Sequence, residues 1–261
     1  MAALITTKYY LKRAFASPLQ LALMAGLPAV IIFLNISVNM NIISTADGTP
    51  YFMGYNIDAT MITMFVVLMF QAMSGVYAGE FVFHDFREAN RWRLRAAPVG
   101  SSAFVIGALV ASIIFSLVSA ALVLVVMYFA FSIYLGNLGI VIATIFFLSL
   151  WAQFVGIIIA FFVKKKGSID GLTIALSFAM SSLSGAFLIT IPLPDFVQNF
   201  IIPTGVAVNA ILSTNILTQA PDLTWRYGSS MADSLVAVGV LAGMAVLFGI
   251  IALVVARRRV S

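Results

Sequence analysis

Six long apolar stretches, at roughly residues 19–38, 57–79, 102–128, 138–163, 170–191 and 234–256, dominate this chain of 261 residues. A helix needs about 20 mostly apolar residues to cross the ~30 Å of a bilayer's hydrocarbon, so each stretch is long enough to span. Composition removes the soluble alternative. Hydrophobic residues make up 62% of the chain and charged ones 9%, against about 45–50% and about 25% in ordinary globular domains. With a mean hydropathy of +1.11, the chain carries more apolar surface than a core of this size can hide. Lipid is the solvent for most of it, and the expected fold is an all-α membrane protein of six transmembrane helices in a single domain, 1–261.

The charges between the stretches alternate. Lys8, Lys12 and Arg13 precede the first; Arg87, Arg91, Arg93 and Arg95 follow the second; Lys164, Lys165 and Lys166 follow the fourth; Arg257, Arg258 and Arg259 follow the sixth. Thirteen of the 14 basic residues therefore fall on one side of a six-span drawing. The other side holds Arg226 beside Asp47, Asp58, Asp195, Asp222 and Asp233. Cytoplasmic loops collect Lys and Arg, which places both termini in the cytoplasm and the chain in the cell (inner or plasma) membrane. This clustering at the ends of apolar runs also explains the net charge of +5 without a nucleic-acid partner. Residues 1–35 also have the outline of a signal peptide. No small-x-small cleavage site follows residue 35, and Asn35, Asn39 and Asn41 stand there instead, so the first stretch is read as a retained span.

Two segments outside the spans have a pattern of their own. Before the first span, Leu4, Leu11 and Phe15 share one helical face, away from Tyr9 and Arg13. That suits a short interfacial helix leading in at Pro18, or simply a basic flank. Residues 192–218 are apolar but broken by Pro192, Pro194 and Pro203. Neither half is long enough to cross, so the segment reads as an outer-leaflet re-entrant hairpin, or interfacial helices, packed against protein.

The densest chemistry is in the cytosolic loop. His84, Arg87, Glu88, Arg91 and Arg95 fall on one face of a helix over about 82–97. Val82, Phe86, Ala89, Ala96 and Ala97 lie opposite, and Pro98 stops the helix. Two readings fit: a docking helix for a soluble partner, or a basic anchor on anionic lipid. Asp85 and Glu88 favour docking, because a lipid anchor has no use for acids.

Within the spans the sequence excludes more than it offers. No ionisable side chain stands in mid-span, with Asp58 and Glu80 at the two ends of the second. Ion-coupled carriers keep such a group in mid-membrane, which also disfavours a channel or carrier. The single His lies in the loop and there is no Cys, so no intramembrane Ser–His dyad, thiolate metal site or disulfide can be built. Met61, Met64, Met69 and Met73 read as packing. Asn35, Gln71, Gln153 and Ser181 are the polar groups that can line a pathway or join helices. Ser177, Ser181 and Gly185, and the pair Gly239 and Gly243, mark faces where helices can approach closely. No G-x-x-x-x-G-K-[ST] phosphate loop is present; Lys164 to Ser168 only echoes its end.

This organisation resembles the membrane subunit of type-2 ABC exporters. Arg93-Leu94-Arg95-Ala96-Ala97-Pro98-Val99 matches the close of that family's loop motif, E/D-R-x-x-G-T-L-E-R-L-x-x-x-P-V. Asp85, Arg87 and Glu88 resemble its charged opening, with Ala89-Asn90 near the place of its Gly-Thr. Leu183-Ser184-Gly185-Ala186-Phe187, Pro192-Leu193-Pro194 and Pro203 resemble the family's S-G-x-x-x-P-x-x-x-L-P at the end of the fifth span. The likeness implies a permease domain over the whole chain whose loop is a coupling helix, with Asp85, Arg87, Glu88, Arg91 and Arg95 meeting a separate nucleotide-binding subunit. It implies a second permease chain, as a homodimer or a similar partner. ATP and Mg would be bound by the partner subunit, and this chain would be neither an ATPase nor a binder of any cofactor. The 22 Phe and the nearly uncharged interior point to a hydrophobic or amphipathic cargo: a drug, a lipid-like molecule or an antimicrobial peptide. A non-transporting scaffold or immunity subunit is the alternative from a different class.

Overall fold

The computed structural model describes residues 2–16, 21–43, 51–52, 55–87, 101–184, 193–215 and 231–260. Helix α1 is Ala2–Phe15. A π-helical turn at Ala22–Gly26 leads into α2, Leu27–Ile43. Pro28 accounts for that turn, because it has no N–H to give the carbonyl one turn back, and the Leu27 N–H bonds Ala22 O instead. Tyr51–Phe52 and Tyr55–Asn56 then pair antiparallel. Next come α3, Ile57–Met73, and α4, Gly75–Arg87, separated by a turn at Ser74. They are followed by α5, Ser101–Phe131; α6, Leu138–Phe162; and α7, Lys166–Leu183. The short α8, Asp195–Phe200, precedes α9, Pro203–Asn215, and α10 is Met231–Val260.

Among the described residues, four helices are long and apolar enough to cross a membrane: Ala59–Phe86, Ala103–Phe131, Leu138–Phe162 and Met231–Ala256. Ala22–Ser37 and Pro203–Ser213 are apolar but shorter. The fifth predicted span, 170–191, falls on α7 and on residues outside the described set.

The core has two parts stacked along the helix axes. One is built from Tyr10, Phe81, Phe115, Ile157, Ile169 and Ala252, with Leu21 and Met24 against it. The other holds Ile32, Met64, Val123, Val141, Val206 and Leu241, with Leu176 against it. Following each helix from one part to the other shows alternating direction. Helices α2, α5 and α7 run from the first part to the second, and α3–α4, α6 and α10 run back. The first part therefore carries α1 and the described basic residues, and is called the basic end below. Turns between helices are tied down locally: Asn137 Oδ1 accepts from the N–H groups of Gly139 (3.0 Å) and Ile140 (3.3 Å), an N-cap that starts α6.

Residues 192–218 were expected to form two short pieces too short to cross. The described part does so: α8 and α9 meet at Ile201–Ile202, just before Pro203. Every side chain from Ile202 to Ser213 is buried, so α9 is enclosed by protein. The outer girdle is the reverse. Phe129 is 81% exposed and Val246 62%, among many large apolar side chains that would drive aggregation in water.

Candidate functional site

At 1.5 Å per residue, the 28 residues of the helix Ala59–Phe86 reach about 42 Å, some ~10 Å more than the hydrocarbon thickness. Its last turns pack within the basic end, where Phe81, Val82 and Phe83 are buried, and they carry Glu80, His84 and Asp85, with Arg87 closing α4. Residues 82–87 are thus the end of α4, while Glu88, Arg91 and Arg95 lie outside the described residues, as does the side chain of Arg87.

Asp85 does not point outward. It is 7% exposed and accepts a hydrogen bond from the Tyr10 hydroxyl of α1. Burial first, and the Asp85 carboxylate second, push the Tyr10 phenol well above its ordinary pKa, so the hydroxyl stays a donor at any physiological pH. His84 Nδ1 lies 3.0 Å from Asp85 Oδ1 and 3.3 Å from Arg13 Nη1. That nitrogen can donate to the carboxylate or accept from the guanidinium, but not both at once. The Arg13 guanidinium sits 5.4 Å over the Phe81 ring, within cation–π range, and the Tyr10 and Phe81 rings are 5.1 Å apart.

The same helix grips the start of α5. Thr6 Oγ1 donates to Ala103 O at 2.9 Å. Gly107 brings the two backbones together, since a methyl group there would lie 2.8 Å from Thr6 Cβ. Phe15 and Phe115 pack edge-on at 5.2 Å. The stripe of α1 that faces the bundle is thus Thr6, Tyr10 and Ala14, all buried, at i, i+4, i+8 spacing. Leu4, at 74% exposed, Ile5 and Tyr9 remain outside. The sequence pattern singled out Leu4, Leu11 and Phe15 because it follows hydrophobicity. The structure ranks faces by fit, and the small and hydrogen-bonding residues won.

A second constellation lies at the break between α3 and α4. Ala78 N–H belongs to the first turn of α4, whose amides have no partner within the helix. It donates to Gln153 Oε1 of α6 at 3.2 Å. Gln153 Nε2 donates to Ser74 Oγ (3.0 Å), which donates to Gln71 O (2.6 Å). Gln71 Nε2 continues to Ser116 O of α5 (3.2 Å), and Ser116 Oγ meets Ser149 Oγ of α6 at 2.5 Å. Gln71 thus bonds α3 to α5, and Gln153 bonds α6 to Ser74 and α4. Among the described residues Asn35 bonds its own helix, at Ile31 O (2.8 Å). Ser177 does likewise, at Thr173 O (2.8 Å), and Ser181 is buried in α7. Replacing Gln153 with leucine removes two side-chain bonds and strands an amide. Bonds of this kind average about 0.6 kcal/mol in membranes, and a stranded buried donor costs ~1–3 kcal/mol more. The expected loss of ~2–4 kcal/mol is read by thermal unfolding in detergent.

Beneath this network, α4 and α6 touch backbone to backbone through Gly75 and Gly156, and Gly79 stands 2.9 Å from Gly156 O when given a methyl group. Gly75-x-x-x-Gly79 was a legible signal of close approach that sequence reasoning passed over. The pair it favoured, Gly239 and Gly243, is exposed, with no described residue within 4 Å of an added methyl group. Gly185 lies outside the described residues. One ion pair ties α4 to α7: Lys166 Nζ to Glu80 Oε1, 2.9 Å. Among the described residues no His, Cys, Asp or Glu cluster could hold a metal ion.

These arrangements hold helices together. Alternating apolar helices, an exposed apolar girdle and a basic end define a multi-pass helical membrane protein. Residues 5–254 match the model of the ABC-2 family transporter proteins, and the chain belongs to that family. No curated protein matches it significantly. Membership makes this a transport permease domain that is not itself an ATPase, and it implies an ABC ATPase partner.

Proposed function

We propose that this chain is the membrane-spanning subunit of an ATP-driven exporter, with six spans, both termini cytoplasmic, and the loop after α4 as the coupling helix. Arg87, Glu88, Arg91 and Arg95 meet a separate nucleotide-binding subunit, which binds the ATP and Mg. Two permease chains, identical or similar, complete the working unit, and the outward-facing Gly239 and Gly243 suit a contact between chains. The cargo is hydrophobic or amphipathic, leaving the cytoplasmic side of the cell membrane. One observation carries the reading: the family match coincides with basic residues gathered at a single end of alternating helices. Asp85 leaves the docking set, because its carboxylate is occupied by Tyr10.

The test is reconstitution of the chain with its ATPase subunit in lipid vesicles. ATP hydrolysis that depends on this chain, with ATP-dependent movement of a lipophilic dye, supports the proposal. Binding without movement of any of a panel of drugs, lipid analogues and peptides assigns the chain to the scaffold class. The sequence has no Cys, so single cysteines placed at residues 47 and 261 report sidedness. Labelling of residue 261 from the outside would overturn the topology.

A further inference from the structure

The two flanks of the 88–100 loop are the end of α4 and the start of α5, and α1 holds both. Toward α4 the hold is polar and buried: the Tyr10 hydroxyl on Asp85, supported by His84, Arg13 and Phe81. Toward α5 it is a backbone approach: Thr6 on Ala103 and Gly107, and Phe15 on Phe115. Thr6 and Tyr10 stand on successive turns of one buried stripe, and Phe15, 40% exposed, adds its ring contact from beside it. Such a strap makes three helices into one body at the point where the loop leaves and re-enters the bundle.

From this the structure assigns a role to α1 as a clasp, with Tyr10 and Asp85 as its positioning residues. A push on the loop then moves α1, α4 and the start of α5 together, rather than bending the end of α4 alone. The inference rests on the loop being the coupling element. It adds that the force enters through α1 as well as through the spans. A buried hydrogen-bonded carboxylate is suited to this, because its partner must follow it: parting them strips the buried Asp85 Oδ2 of its donor and leaves the carboxylate only the His84 contact on Oδ1.

The experiment uses the full chain with its ATPase subunit in lipid vesicles, and an environment-sensitive fluorophore on Leu138→Cys, which is exposed at the start of α6 far from the basic end. The signal is the ATP-driven fluorescence change per ATP hydrolysed. Tyr10→Phe keeps the ring on Phe81 and loses only the hydroxyl. It and Asp85→Leu should lower the signal by about five-fold, with partner affinity near wild type and a somewhat lower melting temperature for Tyr10→Phe, whose buried Asp85 has lost a donor. Asp85→Asn keeps an acceptor for Tyr10 and should restore most of it. A second preparation carries Tyr10→Cys with Asp85→Cys. Its signal should be low when free and recover when a short bismaleimide joins the two thiols. Wild-type signal in Tyr10→Phe and Asp85→Leu, or a signal abolished by the cross-link, overturns the clasp. No ATP-driven change in the wild-type complex, despite ATPase binding, overturns the coupling reading itself and the clasp with it.

Discussion

Gly156→Ala is expected to leave no correctly folded chain to purify. A methyl group on Gly156 would lie against the carbonyl oxygen of Gly75 and 2.6 Å from its carbonyl carbon. Both atoms are backbone, so no side chain can rotate away, and the helices α4 and α6 must separate. Separation is costly because the Gln153 to Ala78 and Ser74 bonds span the same crossing and break with it. Ordinary overpacking costs about 1–3 kcal/mol. Adding the stranded amide at ~1–3 kcal/mol brings the total to a substantial part of the ~5–15 kcal/mol by which proteins are stable. Gly75→Ala meets Ala152 O and is expected to fail in the same way. Gly239→Ala and Gly243→Ala are the controls: a methyl group there meets nothing, and helix propensity favours it by up to ~1 kcal/mol. The measurement is monodisperse yield and melting temperature in detergent. A Gly156→Ala chain that melts within a few degrees of wild type would show that this crossing is not as close as described.

That contrast shows where the sequence was readable and where it was not. Span positions follow from apolar length, which reports on lipid directly, and the ends of α5 and α6 fall within a few residues of those expected. Alternation of charge gave the relative direction of the helices, because each cluster must stay out of hydrocarbon. Glycine spacing is weaker: Gly75-x-x-x-Gly79 and Gly239-x-x-x-Gly243 are the same pattern, and only the neighbour distinguishes a crossing from an open face. The break at Ser74 was illegible for a related reason. The local mark is weak, the pair Ser74-Gly75 with the Ser74 hydroxyl on Gln71 O, and Gln153, 79 positions on, supplies the partners that hold the break. Asp85 is the sharpest case. In sequence it is one more charge beside Arg87 and Glu88, and its partner Tyr10 is 75 residues away. The two stand in contact only because α1 folds back on the end of α4.

Arg91→Glu with Arg95→Glu is expected to uncouple the partner ATPase while leaving the permease folded. The substitutions change the proposed docking face by four charges without touching the described core. Like charges forced together across an interface cost several kcal/mol, so partner affinity should fall about 100-fold or more, since each 1.4 kcal/mol is about tenfold. Chain-dependent ATP hydrolysis and dye movement should be lost together. The competing account, a basic anchor on anionic lipid, also predicts damage, but of a different size and kind. A juxtamembrane Lys or Arg contributes about 1 kcal/mol at an anionic surface, and that contribution vanishes in neutral lipid. Vesicles of neutral phosphatidylcholine therefore separate the two. There the wild-type chain should still stimulate its ATPase and the double variant should still fail. Arg258→Glu with Arg259→Glu makes the same change in net charge at the tail, on the same end of the molecule, and should leave stimulation within about two-fold, as expected of exposed charges largely screened beyond ~8 Å at physiological salt. Equal stimulation by the loop double variant and wild type in neutral lipid would remove the loop from the docking surface. Equal damage from the tail pair would show that net charge, and not the loop face, is what the membrane or partner reads.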